Sequence, residues 1–210
     1  VAEGRRVINN IQRSASLFLV KNIFSVLLSV VSLVLPLTYP FLPLQLSLLG
    51  AATIGTPAFF LALEPNHERV HGRFISNVLR AALPGGITDF LLVCLAQGFC
   101  FAFDLSSDYL GTISTIVVLT VGLMVLWGVC RPFNTWHWVL WGAMAAIGYG
   151  GALLLAPWLG LVKLDLGGTL VLVALLGLAG PTLFGVSMLN TRIHGAVGEV
   201  QDKVRRRRES

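Results

Sequence analysis

The segment EGRRVINNIQRSASLFLVKNIFSVLLSVVS, residues 3–32, contains the features that decide the fold. A charged, amide-rich start continues without a break into an apolar stretch of membrane-helix length, and Lys21 lies inside that stretch. An ammonium group at the bilayer centre costs roughly 2.5 to 3.5 kcal/mol on insertion scales. Polar residues then follow at spacings that fall on one helix face: Asn22, Ser25, Ser29 and Ser32. The pattern predicts a membrane helix with one polar side, as is found beside a transport pathway.

The composition is that of an integral membrane protein. The 210 residues are 55% hydrophobic and 12% charged, with a mean hydropathy of +0.80, whereas soluble domains carry about 25% charged residues. A membrane helix needs about 20 apolar residues. We therefore expect an all-α integral membrane protein, a bundle of six transmembrane helices at 14–35, 41–63, 83–103, 109–130, 136–157 and 166–189.

The basic residues are distributed unevenly between the two sides of this bundle. Thirteen of the fifteen Lys and Arg residues fall on one side. The other two are Lys21, which lies in the membrane, and Lys163, which lies on the opposite side. Because positive charge marks the cytoplasmic side, both termini are predicted to be cytoplasmic. The expected parts are the start of a stalk helix at 1–13, the transmembrane domain at 14–189 and a basic tail at 190–210. The arginines of that tail are expected to lie near lipid headgroups and not to bind nucleic acid.

One motif indicates a different class of protein. His67, Glu68 and His71 spell HExxH, the zinc-binding pair and general base of metalloproteases. The motif lies in a basic loop shortly after Pro65, and Asp89 of the next helix would have to serve as the third ligand. A membrane metalloprotease is therefore kept as an alternative, and no metal ligands are assigned.

Two longer strings resemble a known family. EGRRVINNI at 3–11, followed by a helix that contains Lys21 and Asn22, resembles the junction between the phosphorylation domain and the fifth transmembrane helix of P-type ATPases. PLQLSLLGAATIGTPAFFLALEPN at 43–66 is similar to the sixth transmembrane helix of the bacterial cation-transporting ATPase E group. The loop sequence at 65–86 continues this resemblance, and beyond it only the topology and the helix count match.

The resemblance implies that the chain is the C-terminal membrane half of a cation pump, from the fifth to the tenth transmembrane helix. Its partners would be the lipid bilayer, the N-terminal half of the same pump and the transported cation, with calcium favoured, in the bacterial cytoplasmic membrane. ATP and Mg²⁺ would be used by the parent protein only, since neither DKTGT nor TGE, the family's phosphorylation and actuator motifs, occurs in this sequence. The chain by itself is expected to have no cofactor and no catalytic residue.

Aligning the two strings assigns residues to an ion pathway between the first two spans. Calcium pumps of the family carry carboxylates there, whereas this chain has Ser25 and Ile54 at those positions. Hydroxyl, amide and main-chain oxygens remain, and a proline frees a main-chain carbonyl one turn earlier. The expected pathway residues are Lys21, Asn22, Ser25, Gly50, Thr53, Gly55, Pro57 and Asp89.

The two charged members of this set leave alternatives open. Asp89 could neutralise Lys21 as an ion pair, or it could be a carboxylate at the membrane interface. Lys21 could also extend along apolar surface toward the cytoplasm. The gastric proton pump has a lysine at the position of Lys21, and lipid flippases of the superfamily carry the Lys-Asn pair. A flippase is therefore the second interpretation, and an accessory subunit without transport activity of its own is the third.

Overall fold

The chain folds into helices joined by short connections. The computed structural model describes residues 2–34, 39–64 and 74–209, with side chains between 7 and 195 within those ranges, and contains no strand among them. The helices are α1 (Ala2–Val34), α2 (Pro43–Gly50), a π-helical segment (Ala51–Gly55), α3 (Thr56–Leu63), α4 (Phe74–Ala102), α5 (Ser107–Val129), α6 (Thr135–Leu154) and α7 (Leu166–Glu209). The all-α prediction is confirmed.

The helices are suited to a membrane in length and composition. Those long and apolar enough to cross a bilayer are Val7–Val34, Pro43–Leu63, Phe74–Ala102, Ser107–Val129 and Leu166–Gly195. The second of these consists of α2, the π-helical segment and α3, and is called the second span below. α6 has 20 residues, but its Trp, His and Gly residues lower its mean hydropathy, so it is not among the five. The structure is that of an integral membrane protein with five or six spanning helices.

Several helices extend past the expected membrane boundaries, and α1 and α7 extend the furthest. α1 continues from the stalk region into the first span without interruption, so the two regions form one rod about 50 Å long. α7 continues from the last span through the basic tail to Glu209. A displacement at the N-terminal end of α1 can therefore be passed directly into the membrane part of the same helix.

α4 lies at the centre of the packing, in contact with α1, α5 and α7. Gly86 allows α1 to approach closely, because a methyl group at Gly86 would lie 2.8 Å from Ile23 Cβ and 2.9 Å from the Val20 carbonyl oxygen. Membrane helices commonly associate through such small residues, because the surrounding hydrocarbon supplies no hydrophobic drive. The close contact places Lys21 of α1 and Asp89 of α4 on neighbouring helices at a similar depth.

Hydrogen bonds show which helix ends lie together. The Asn10 side chain donates to the Glu64 carbonyl at 2.9 Å, which joins the N-terminal part of α1 to the end of the second span. The Asn190 side chain donates to the Arg80 carbonyl at 2.9 Å, which joins the start of α4 to α7. Since α4 follows the second span in the chain, these ends lie on one side of the bundle. That this side faces the cytoplasm stays a prediction from the charge distribution.

The contact between α1 and α4 provides a test of this packing. Gly86→Leu would place carbon atoms where Ile23 and the α1 main chain already lie, and overpacking of this kind costs about 1–3 kcal/mol. We expect the variant to lower the midpoint of thermal unfolding in detergent, measured by tryptophan fluorescence. Gly98→Leu is the matched control, because a methyl group at Gly98 meets nothing within 4 Å. An equal loss in both variants would contradict the contact.

Candidate functional site

A small cavity of about 30 Å³ lies between α1, the second span, α4 and α5. Lys21, Thr53 and Asp89 are its polar lining, and the rest of the wall is apolar. This volume corresponds to about one water molecule. Three of the residues expected in the pathway therefore meet around a single small space, which we call the central cavity.

Lys21 reaches across from α1 to the second span. A methyl group placed on Gly50 would lie 3.7 Å from Lys21 Nζ, so the ammonium lies beside the main chain just before the π-helical segment. The Ser14 side chain donates to the Ala58 carbonyl at 3.2 Å. Together with the contact between Lys21 and Gly50, this shows that α1 and the second span run antiparallel, with Lys21 opposite Gly50. The ammonium therefore stays at the depth of its own main chain and does not extend toward the end that carries Asn10.

Asp89 is buried inside the bundle, near the middle of α4. Its side chain lines the central cavity with 3% of the residue exposed, and its Oδ1 has no hydrogen-bond partner. Lys21 and Asp89 are both among the described residues and line the same cavity, but they form no direct ion pair. Because an unpartnered carboxylate is costly at membrane depth, a water, a proton or a cation in the cavity is the partner that its chemistry requires.

The second span contains a π-helical turn at Ala51–Gly55, directly before Thr56 and Pro57. Thr53 lies in this turn, and its Oγ1 donates to the Leu49 carbonyl at 2.7 Å. Gly122 of α5 leaves room for it, because a methyl group there would lie 2.7 Å from Thr53 Cγ2. Single π turns inside α-helices often occur at functional sites, and proline cannot donate to a regular helical ladder. The widened turn thus lies against the central cavity.

The remaining residues of the expected pathway lie outside the central cavity. Asn22 and Gly55 are exposed on the outer surface of the bundle. Ser25 is half-buried and Pro57 is buried, but neither lines the cavity. The structure therefore concentrates the candidate site on Lys21, Thr53 and Asp89, with the backbone at Gly50 beside the ammonium.

A second polar cluster, which the sequence did not lead us to expect, lies at the N-terminal side of the cavity along α1. Glu64, at the end of the second span, accepts hydrogen bonds from Arg13 Nη1 at 2.9 Å and Asn134 Nδ2 at 3.0 Å. Its Oε2 also lies 2.9 Å from His137 Nε2. We call Arg13, Glu64, Asn134 and His137 the Glu64 cluster; it connects α1, the second span and α6.

The local sequence explains how α6 contributes two members of this cluster. Asn134 is the N-cap of α6, with its side chain accepting from the His137 main-chain N–H at 2.7 Å. This cap fixes the first turn and holds the buried His137 ring next to Glu64. One signal in the sequence could have been recognised. Glu64 directly follows a predicted span, on the same predicted side of the membrane as Arg13 and the start of the helix that contains His137.

The pKa of Glu64 lies below its usual value of 4.5. Burial raises the pKa of this carboxyl, but the hydrogen bond and the charge of His137, followed by Arg13 and Asn134, outweigh that effect. A group whose pKa is lower in the folded protein stabilises the fold above its unfolded pKa. That contribution is lost as the pH falls through the folded pKa, so the Glu64 cluster should weaken below about pH 4.5.

Glu64→Gln keeps the shape of the side chain and removes its charge. We expect it to lower the free energy of unfolding by about 1.5–3 kcal/mol near neutral pH, the range for hydrogen bonds to charged groups. It should also remove part of the acid-induced loss of stability, measured by thermal unfolding at a series of pH values. Asp104→Asn is the control, because Asp104 is exposed and its positive φ of 50° is one that asparagine also adopts. If Glu64→Gln follows the wild-type pH profile, the cluster does not stabilise the fold.

The metalloprotease alternative receives no support from the described residues. Among them, no group of three or more His, Cys, Asp or Glu side chains could hold a metal ion. The HExxH motif at 67–71 lies outside the described residues. Its zinc chemistry therefore stays an untested interpretation from the sequence.

Comparison with known proteins gives a consistent set of relatives. Calcium-transporting ATPase CtpE of Mycolicibacterium smegmatis is 36% identical over 163 residues, which are 71% of this chain and 20% of that protein. Calcium-transporting ATPase CtpE of Mycobacterium bovis is 36% identical over 154 residues, 67% of this chain and 19% of that protein. Probable cation-transporting ATPase exp7 of Streptococcus pneumoniae serotype 4 is 30% identical over 146 residues, 66% of this chain and 19% of that protein.

No family model matches the chain, and no solved structure matches it. The chain spans about a fifth of the length of the curated relatives it matches. These relatives agree with the resemblance carried by the strings at 3–11 and 43–66, and with the membrane helices of the structure. The chain therefore belongs to the cation-transporting P-type ATPases and corresponds to a membrane segment of such a pump.

Proposed function

We propose that this chain is the C-terminal membrane part of an ATP-driven cation pump and supplies part of its ion pathway, with calcium as the favoured ion. The observation that carries the proposal is the central cavity, where Lys21, Thr53 and Asp89 meet at the π-helical turn. In this proposal ATP and Mg²⁺ bind to cytoplasmic domains in the N-terminal half of the pump. Both termini lie in the cytoplasm of a bacterium, and the positive charge on one side supports this orientation.

Calcium is favoured because of the relatives, not because of the cavity. Two of the relatives are named as calcium-transporting ATPases, and the third is named only as cation-transporting. Ca²⁺ takes six to eight oxygen ligands. The described residues offer the Asp89 carboxylate, the Thr53 hydroxyl and main-chain carbonyls of the π turn. In this proposal the remaining ligands come from other helices of the pump.

Lys21 gives the central cavity a property that a simple carboxylate site lacks. Its ammonium balances the charge of Asp89 when no cation is present, and it repels a cation that enters. A transported cation therefore competes with Lys21 for the same carboxylate. Exchange between the two would leave the cavity close to neutral in both states, which reduces the cost of keeping a carboxylate at membrane depth.

α1 can couple this site to the rest of the pump. It is a single helix from Ala2 to Val34, and the Glu64 cluster connects it to the second span and to α6. Arg13 precedes Lys21 by eight residues, which is about 12 Å of helix. A movement of the stalk region of α1 would therefore shift Lys21 relative to Asp89. The second span would move with α1, because the Glu64 cluster connects the two.

The function is tested by ATP hydrolysis of the full-length pump, purified in lipid, against Ca²⁺, Mg²⁺, Mn²⁺, K⁺, pH and phospholipids. Stimulation by Ca²⁺ would support the proposal, and stimulation by another cation would reassign the ion. Stimulation by phospholipid alone would replace the proposal with the flippase interpretation. A full-length protein that hydrolyses no ATP under any of these conditions would contradict the pump itself.

Lys21→Met removes the ammonium and keeps the length of the side chain. Because a like charge then no longer opposes the entering cation, we expect the Ca²⁺ concentration for half-maximal ATPase activity to fall by about tenfold. Asn22→Ala is the control on the same helix, since Asn22 is exposed and does not line the central cavity. Unchanged calcium dependence in Lys21→Met would show that the cavity is not the transport site.

Asp89→Asn tests whether the two charges share the cavity. We expect the single variants Asp89→Asn and Lys21→Met each to lower thermal stability, because each leaves the other charge uncompensated at depth. The double variant should be more stable than the sum of the single effects, with a coupling of more than about 0.5 kcal/mol in a double-mutant cycle. Additive effects would mean that Lys21 and Asp89 do not interact through the central cavity.

A further inference from the structure

A groove lies between α5 and α7, next to α4 and α6. It has two chambers, of about 310 Å³ against α4 and about 370 Å³ against α6. The chambers share the lining residues Met124, Gly128, Leu183 and Ser187, and we call them together the α5–α7 groove. Each volume is within the usual range for ligand pockets, about 300–1,000 Å³.

The space in this groove is created by glycines. Gly128 of α5 lines both chambers and Gly180 of α7 lines the one against α6. A methyl group at either position would meet nothing within 4 Å. This differs from Gly86, where a methyl group would collide with α1. These two glycines therefore leave the helices apart instead of bringing them together.

The groove carries positive charge at one end. Arg80 lines the chamber against α4, and Arg131 lines the chamber against α6. Both side chains are exposed, and neither forms an ion pair within the part of the chain that the structure describes. No Asp or Glu is among the described residues that line either chamber. The groove thus offers two guanidinium groups without a protein counter-ion, and guanidinium is well matched to phosphate.

The length of the groove fits one half of a bilayer. The Asn190 side chain donates to the Arg80 carbonyl at 2.9 Å, so the two residues lie at the same depth. Gly180 is ten residues before Asn190 on α7, which is about 15 Å of helix. A hydrocarbon core of about 30 Å gives each leaflet about 15 Å. The arginines therefore lie at headgroup level when Gly180 lies near the bilayer centre.

We propose that the α5–α7 groove binds one anionic phospholipid. Its phosphate lies between Arg80 and Arg131, and an acyl chain fills the space beside Gly128 and Gly180. The apolar walls and the exposed Phe184 at the rim, with 73% of its surface accessible, suit a hydrocarbon chain. This proposal does not depend on the identity of the transported ion.

The test is native mass spectrometry of the full-length pump, purified in detergent with equal amounts of phosphatidylglycerol and phosphatidylcholine. We expect one phosphatidylglycerol to be retained per protein. Arg80→Gln and Arg131→Gln should each weaken its retention about fivefold, since a basic residue near anionic lipid contributes about 1 kcal/mol. Gly128→Leu should also displace it, because the leucine occupies the space shared by the two chambers.

Two control variants separate this site from general effects. Lys163→Gln removes an exposed positive charge at the other end of the bundle, and Gly98→Leu adds the same side chain at an exposed helix position. Both should retain the lipid as the wild type does. The proposal is overturned if phosphatidylcholine is retained equally well, or if the arginine variants and Gly128→Leu retain phosphatidylglycerol unchanged. It is also overturned if the pump retains no lipid, because other helices of the pump would then cover the groove.

Discussion

The placement of the half-buried Lys21 and the buried Asp89 around one cavity between facing helices is the constraint on which the membrane bundle depends. Each charge alone would be costly at membrane depth, and the close approach of α1 to α4 at Gly86 brings the two groups to the same cavity. The π turn of the second span and Gly122 of α5 complete the wall around the two groups. The cavity that results is small, so a single water or ion decides how the two charges are balanced.

The same helix that carries Lys21 also carries Arg13, and this links the two polar regions of the structure. The central cavity is lined by a lysine and an aspartate that form no direct ion pair, whereas the Glu64 cluster contains direct contacts of 2.9–3.0 Å. The first arrangement leaves room for a ligand, and the second holds α1, the second span and α6 together. In the proposed pump, α1 would carry both properties, because it would connect driving domains outside the membrane to an ion site inside it.

The candidate site could be predicted in part because some of its signals are local. A lysine and an aspartate within apolar stretches are visible without a structure, and Lys21 and Asp89 do line the cavity. Alignment to family strings assigned Asn22 and Gly55 as well, but alignment transfers positions and not the direction of a side chain. Glu64 and His137 were missed because their contact joins residues 73 positions apart.

The sequence by itself determined that this is a helical membrane protein, because apolar length and the placement of basic residues depend only on the solvent that each segment prefers. It also determined the family, through strings that are continuous along the chain. Only the tertiary structure decided which polar groups meet, which glycines bring helices together and which leave a groove between them. Those outcomes depend on the rotation of each helix about its axis and on its neighbours. Gly86 and Gly128 are chemically identical, and only their surroundings distinguish a close helix contact from an open groove.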